Sequence, residues 1–203
     1  MNISGIKTKK ITIEDNDLLK ILDEYVVEMR EEEVLIITSK IVSICEGRVV
    51  PINSIEKAEL VKQDADYYLM APDNKYGLIL TIKDGHLIPW SGIDESNGNG
   101  YFIRWPEDPY KTAFKIRDYL VEKFSLKHVG VIITDSKLTP LRWGETGLAI
   151  AYTGFKPLRS YIGTTDLFGR EMKLSQASVA DCLATAAVLV MGEGDESTPM
   201  VIA

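Results

Sequence analysis

Val131-Ile132-Ile133-Thr134-Asp135-Ser136, read together with Trp90-Ser91-Gly92-Ile93-Asp94-Glu95-Ser96-Asn97, decides the fold class. In each stretch an apolar run breaks off in an acid followed by a hydroxyl residue, which is how a buried strand delivers a carboxylate to the edge of a sheet. Two such strand ends can hold one divalent ion. Asp and Ser oxygens are hard ligands suited to Mg²⁺ or Mn²⁺, and an ion held by few protein groups keeps positions open for substrate phosphates. The competing reading makes Asp94 and Asp135 plain turn formers, because Asp beside Gly or Ser marks many loops. Gly192-Glu193-Gly194-Asp195 adds a third acid-bearing turn near the end of the chain.

The chain has 203 residues, enough to bury a proper core, and its 45% hydrophobic and 26% charged residues are those of an ordinary globular protein. A net charge of -7 argues against non-specific nucleic-acid binding, which needs a surplus of Lys and Arg to displace phosphate counterions. Metal ions and a few local cations can still bring a nucleotide to an acidic protein. Met1-Asn2-Ile3-Ser4-Gly5 lacks a basic segment followed by an apolar one, so no signal peptide is expected, and the apolar run Ala186 to Met191 is far too short to span a bilayer. Cys45 and Cys182 stand far apart without ligand spacing and are expected as thiols in a cytoplasmic protein.

Outward from the two acid-bearing stretches, Val34-Leu35-Ile36-Ile37-Thr38 predicts a strand that runs out at Ser39-Lys40, where a lysine either reaches a phosphate or is simply solvated. Ile3 to Ile13 reads as an edge strand or an arm. Asp15 or Asn16 is placed to cap a helix with Leu18, Leu22, Tyr25 and Met29 on one face. Asn53 and Glu56 resemble a capping box for a helix through about Tyr68, Ala71-Pro72-Asp73-Asn74 a loop, and Tyr76 to Lys83 a strand ended by Asp84-Gly85. His86 beside that turn is expected to be a structural hydrogen-bonder. Asp108 with Pro109 starts a helix carrying Ala113, Ile116, Leu120 and Phe124, and Leu148 to Tyr152 is expected beside the Val129 to Ile133 strand. Asp166 to Arg170 reads as a turn, and an Ala-rich helix from Ser175 to Gly192 allows close packing, including against a second copy. These elements predict one α+β domain over residues 1–203, with a mixed sheet and packed helices.

Arg48, Arg104, Arg142 and Arg170 add cations that point to an anionic substrate such as a nucleoside triphosphate. Neither a P-loop nor a G-x-G-x-x-G fingerprint occurs, so the common nucleotide-binding modes do not apply. On spacing alone the chain is a metal- and phosphate-handling α+β enzyme.

Ser39-Lys40-Ile41-Val42-Ser43 with Glu46-Gly47-Arg48, then Gly92 to Asn97, Pro106-Glu107-Asp108-Pro109, Ile133 to Ser136, Arg142-Trp143-Gly144, Gly163 with Asp166 and Gly169-Arg170, and Met191-Gly192-Glu193 occur in this order. In that combination the chain resembles the coenzyme F420-0:L-glutamate ligase family from about Val34 to its C-terminus. The resemblance implies an intertwined homodimer and the addition of L-glutamate to coenzyme F420-0 with GTP, two Mg²⁺ or Mn²⁺ ions and K⁺. It further implies that catalysis rests on Asp94 and Asp135, which hold one metal, that Ser136 and Glu193 help hold the other, and that Ser39, Lys40, Asn97, Gly192, Glu193 and Gly194 contact the nucleotide. The implied chemistry is phosphoryl transfer to a carboxylate, followed by attack of the glutamate amine on the acyl phosphate.

The chain departs from the family in several places. Ile44 stands where a Lys is common, and Asp135-Ser136-Lys137-Leu138-Thr139-Pro140 replaces Asp-Thr-Gly-Arg-Pro. The segment between Asp66 and Gly85 is short, and Ile6 to Ile13 does not match the usual apolar start. Another carboxylate acceptor, such as a folate, and a non-catalytic nucleotide- or metal-binding protein therefore remain as alternatives.

Overall fold

The structure, a computed structural model, describes residues 1–70 and 75–203; the expected loop Ala71-Pro72-Asp73-Asn74 lies outside the described residues. In chain order the elements are β1 (Ser4–Ile6), α1 (Leu18–Tyr25), β2 (Val34–Thr38), α2 (Ser39–Cys45), β3 (Val49–Pro51), α3 (Lys57–Asp64), β4 (Tyr67–Met70), β5 (Ile79–Lys83) and β6 (His86–Pro89). There follow β7 (Tyr101–Ile103), α4 (Pro109–Phe124), β8 (Gly130–Leu138), β9 (Glu145–Thr153), β10 (Leu158–Ser160), β11 (Gln176–Ser178), α5 (Val179–Met191) and β12 (Met200–Ile202).

The strands β2 and β8 are apolar on both sides, so they demand cover on both faces and take the middle of the main sheet. That sheet is mixed, in the order β1-β12-β2-β8-β9. The central pair is parallel, with Ile36 opposite Ile132 and Thr38 opposite Thr134; the other pairings are antiparallel. Alternation along the strands divides the core in two. Leu35, Ile37, Val131 and Ile133 face Leu18, Leu22, Ala113, Ile116 and Leu120 of α1 and α4. Ile36 and Ile132 face Ala180, Ala184 and Ala187 of α5. The small side chains of α5 thus pack within the chain: a Cβ at Gly147 would lie 2.3 Å from the carbonyl oxygen of Ala184. Three smaller antiparallel sheets, β3-β7, β4-β5-β6 and β10-β11, flank the main one, and Leu60, Val61, Ile79, Ile93 and Phe102 form a separate small core.

Several boundaries differ from the sequence expectation for identifiable reasons. The helix expected from Asn53 through Tyr68 is a 3₁₀ turn at Ile52–Ser54, the short α3 and then strand β4. No side chain caps α3, and Tyr67 and Tyr68 pair with Ile82 and Thr81 of β5, so cross-strand pairing overrides the capping pattern. The cap of α1 is Asp17, which accepts from the Leu19 and Lys20 N–H groups, while Asp15 holds the preceding arm. Met29 lies beyond α1 yet is buried. The stretch Gln176–Ser178 pairs with β10, so α5 starts at Val179 under a Ser178 cap. The Asp108 and Pro109 start of α4 is as expected, as are β9 beside β8 and the end of β5 at Asp84-Gly85, although β5 begins at Ile79 and not at Tyr76. β1 is the edge strand of the main sheet. Among the described residues no helix is long and apolar enough to cross a membrane.

Candidate active site

The parallel pair ends at Thr38 and Thr134, and in sheets with parallel strands the carboxyl ends are where ligands bind. Beyond Thr38 the chain turns directly into α2, with the Thr38 hydroxyl accepting from the Lys40 N–H. β8 does not stop at its acid. A register shift between Ile133 and Thr134 lets it continue alongside β9 to Leu138, which places Asp135 within the strand but just past the end of β2. Alternation then sends the side chains of Asp135 and Ser136 to opposite faces. Asp135 accepts from the indole N–H of buried Trp105 at 2.5 Å. Ser136 donates to Glu193 Oε1 at 2.6 Å.

Asp94 is presented differently from the expectation. Trp90–Gly92 is a 3₁₀ turn with positive φ at Trp90 and Ser91, and Asp94 forms an isolated bridge to Ile103. The chain must pass close to Trp105 here. A Cβ at Gly92 (φ +67) would lie 2.1 Å from the indole nitrogen, so only glycine lets Trp105 reach Asp135. One oxygen of Asp94 lies 2.7 Å from Lys40 Nζ, and Ser96 donates to the carboxylate from both its N–H and its hydroxyl at 2.8 Å. The Lys40 ammonium also donates to the Ser96 carbonyl and hydroxyl at 3.0 Å each.

A cavity of about 540 Å³ opens over these strand ends. Lys40, Asn97, Asp135, Ser136 and Gly192-Glu193-Gly194 line it, and Asn97 donates its amide to the Gly194 carbonyl at 2.9 Å. Ile11, Ile41, Ile44, Val188 and Met191 give the same space apolar walls. Of the expected nucleotide contacts, Ser39 is buried and does not line the cavity. The four arginines are elsewhere too. Arg48 donates to the Trp105 carbonyl, Arg104 pairs with buried Asp64, and Arg142 and Arg170 are exposed on turns; none lines the cavity. His86 is structural as expected, with its ring near the Asp84 carbonyl and edge-on to Trp105.

The electrostatics separate the two aspartates. Burial is the largest influence on Asp94 and opposes its charge, yet the Lys40 ammonium and hydrogen bonds from Lys40 and Ser96 together hold its carboxyl below the ordinary value. Burial dominates at Asp135 and pushes its carboxyl up to about 6, against the pull of the Trp105 and Ser136 N–H groups; the negative charge of Asp94 adds to the rise. Glu145 belongs to the same field: burial raises its carboxyl, helped by the charges of Glu193 and Asp94. Sequence reasoning missed Glu145 and Trp105; the segment read as an edge strand or an arm lines the cavity from Thr8 to Thr12. Only the pairing of Leu138 with Glu145 across the hairpin brings Glu145 near.

Among the described residues no three of the His, Cys, Asp and Glu side chains converge as a ready-made ligand set. The donors gathered at the strand ends are nonetheless all oxygens, carboxylate and hydroxyl, on both sides of β8.

The sequence model described as F420-0:Gamma-glutamyl ligase matches residues 5–203. The chain belongs to the F420-0:γ-glutamyl ligase family. The coenzyme F420:L-glutamate ligase of Methanocaldococcus jannaschii is 36% identical to it over 204 residues, covering 93% of this chain and 81% of that protein. The protein of the same name from Methanopyrus kandleri is 35% identical over 206 residues, covering 92% and 80%. The one from Methanosarcina mazei is 32% identical over 223 residues, covering 100% and 85%. With this, the α+β fold with its central mixed sheet is the fold of a member of the γ-glutamyl ligase family.

Proposed function

We propose that this chain adds L-glutamate to the terminal carboxylate of coenzyme F420-0, with GTP as phosphoryl donor, two divalent ions and K⁺. The observation that carries the reading is the cavity at the carboxyl ends of β2 and β8, where Lys40, Asn97, Asp135, Ser136 and Gly192-Glu193-Gly194 meet although they come from distant parts of the chain. A donor set of carboxylate and hydroxyl oxygens fits Mg²⁺ or Mn²⁺. Asp94 and Asp135 would hold one ion, and Ser136 with Glu193 would contribute to the other. Bound there, the ions would neutralise the triphosphate and the charge that develops during transfer.

The residues of the chain then position the reactants. Trp105 orients the Asp135 carboxylate, Asn97 braces the Gly194 turn against the nucleotide, and the apolar walls exclude water from the base. A carboxylate oxygen of the acceptor forms a bond to the γ-phosphorus as the bond to GDP breaks. The glutamate amine attacks the acyl carbon of the resulting acyl phosphate, inorganic phosphate leaves, and the amine proton passes to solvent. No covalent enzyme intermediate is required.

We further propose a cytoplasmic homodimer. Leu141 and Trp143 on the β8–β9 turn and Leu167, Phe168 and Leu174 between β10 and β11 are almost fully exposed, which is unusual for so many large apolar side chains. The test is mass spectrometry after incubation with Mn²⁺ or Mg²⁺, GTP, L-glutamate and either F420-0 or a folate. A glutamyl unit gained by F420-0 only with nucleotide and metal present supports the reading; gain by the folate alone replaces the acceptor; gain by neither, with no metal-dependent GTP binding, refutes it.

A further inference from the structure

An antiparallel sheet that packs one face on a core ordinarily turns a polar face to solvent. The sheet β4-β5-β6 departs from this. Its register sets Tyr67, Ile82 and Leu87 in one row across the three strands and Leu69, Leu80 and Pro89 in the next, all on the same face. Ile79, Thr81 and Ile88 point the other way and are buried. On the outward face Tyr67 is 72% exposed, Leu69 65%, Leu87 52% and Ile82 39%, while Leu80 and Pro89 are half-buried. None of the six is charged.

The chemistry of this face narrows what can cover it. No lysine or arginine stands among the six residues, and Asp66 and Asp84 lie at the end of the sheet, where the Asp84 N–H donates to the Asp66 carboxylate at 2.7 Å. An anionic lipid surface is repelled there rather than attracted. An uncharged sheet face two rows deep is matched by another of the same kind, packed face to face about 10 Å away. A second copy of the chain supplies one. The six side chains present roughly 500 Å² per copy, so two copies would bury about 1,000 Å², the size at which specific association begins.

We propose that the outward face of β4-β5-β6 is a self-association surface, on which the same face of a second copy docks in an isologous contact. It shares no residue with the exposed hairpins that carry Leu141, Trp143, Leu167, Phe168 and Leu174. Two different isologous contacts in one chain close as a dimer of dimers, so together with the homodimer proposed above this contact gives a tetramer.

The test is the mass of the full chain in solution, by light scattering after gel filtration at several concentrations, for the wild type and for Leu69→Lys, Leu87→Lys, Tyr68→Lys and Phe168→Lys. All four positions are exposed, so each variant should fold, and circular dichroism checks that it does. The wild type should run as a tetramer. Leu69→Lys and Leu87→Lys, on the two outer strands of the apolar face, should each halve the mass, whereas Tyr68→Lys, on the opposite side of β4, should leave it unchanged. Phe168→Lys should halve the mass through the other contact; if it has no effect and the wild type is a dimer that Leu69→Lys and Leu87→Lys make monomeric, this surface stands and the hairpin homodimer falls. A wild-type mass that neither Leu69→Lys nor Leu87→Lys changes overturns the proposal and leaves the hairpin homodimer. Loss with Leu69→Lys and Tyr68→Lys but not with Leu87→Lys also overturns it, in favour of pairing along the β4 edge. A wild-type monomer overturns both contacts, and if that monomer binds phosphatidylcholine vesicles and Leu69→Lys does not, the face belongs to a lipid surface instead.

Discussion

Replacing Asp135 with Asn removes one charge and leaves the shape of the side chain unchanged, and its consequence for stability can be worked through. Burial raises the folded carboxyl from 3.8 to about 6. For an acid shifted upward, the charged form is the one the fold disfavours. The penalty is absent where both states are protonated, grows as pH rises from about 4 to about 6, and is complete above the folded value. A tenfold change in acidity is worth about 1.4 kcal/mol, so ionised Asp135 costs the metal-free fold about 3 kcal/mol at pH 7.5 but only about 0.5 kcal/mol at pH 4. Asn escapes this. It brings a separate cost of about 1–3 kcal/mol, because its amide turns N–H donors toward the N–H of Trp105 or Ser136, but that cost does not vary with pH. The stability difference between the two proteins should therefore swing by about 2.5 kcal/mol in favour of Asp135→Asn between pH 4 and 7.5. For a chain of this size that is about 5–10 °C in relative Tm. Thermal unfolding in EDTA across this range reads the swing, and repeating it with Mn²⁺ should stabilise the wild type more than Asp135→Asn, which keeps only Ser136 and Glu193 of the proposed ligands intact. Ligase turnover should fall by orders of magnitude in the variant. A Tm difference that stays flat across pH would refute the electrostatic account; Mn²⁺ stabilisation equal in both proteins would refute the metal assignment.

Gly147→Ala places a methyl group against the backbone of α5 at Ala184 and Thr185, so thermal unfolding should show a loss of about 1–3 kcal/mol. Asp64→Ala leaves the Arg104 guanidinium partly buried without its carboxylate, and urea unfolding should give a loss of about 3 kcal/mol with an unchanged m value. Asn97→Ala frees the Gly194 carbonyl and puts Ala at a φ of +54, which costs only about 1–2 kcal/mol of stability while GTP affinity falls roughly tenfold.

The centre of the fold was legible because its signals are local and dense. Val34 to Thr38 and Gly130 to Ile133 are short, β-branched runs buried on both faces, the composition of a central strand. Asp108 and Pro109 start α4 through contacts within four residues of each other. The flanks were not legible, because there the deciding partner is remote. Tyr67 and Tyr68 read as the tail of a helix until β5 lies beside them, and Gln176–Ser178 reads as a first helical turn until β10 does. The turn at Trp90 is governed by Trp105, whose indole requires Gly92 to carry no side chain.

The candidate site divides along the same line. Asp135 and Ser136 follow directly after the apolar stretch Val131 to Ile133, so their place near the strand end could be read from the residues that precede them, whereas Asp94 follows a 3₁₀ turn and not the expected strand. The cations could not, because whether a basic residue is available depends on which acid neutralises it. Arg104 looked like a substrate-binding group, but Asp64, forty positions earlier, holds its guanidinium in an ion pair outside the cavity. Lys40 lies at the strand end as expected, but it is engaged by Asp94, fifty-four positions later. Lys9 is neutralised by Asp15. Of the three lysines that line the cavity, two are held in ion pairs. Identifying which of them remains unpaired therefore says more about where a polyanion can bind than counting basic residues does.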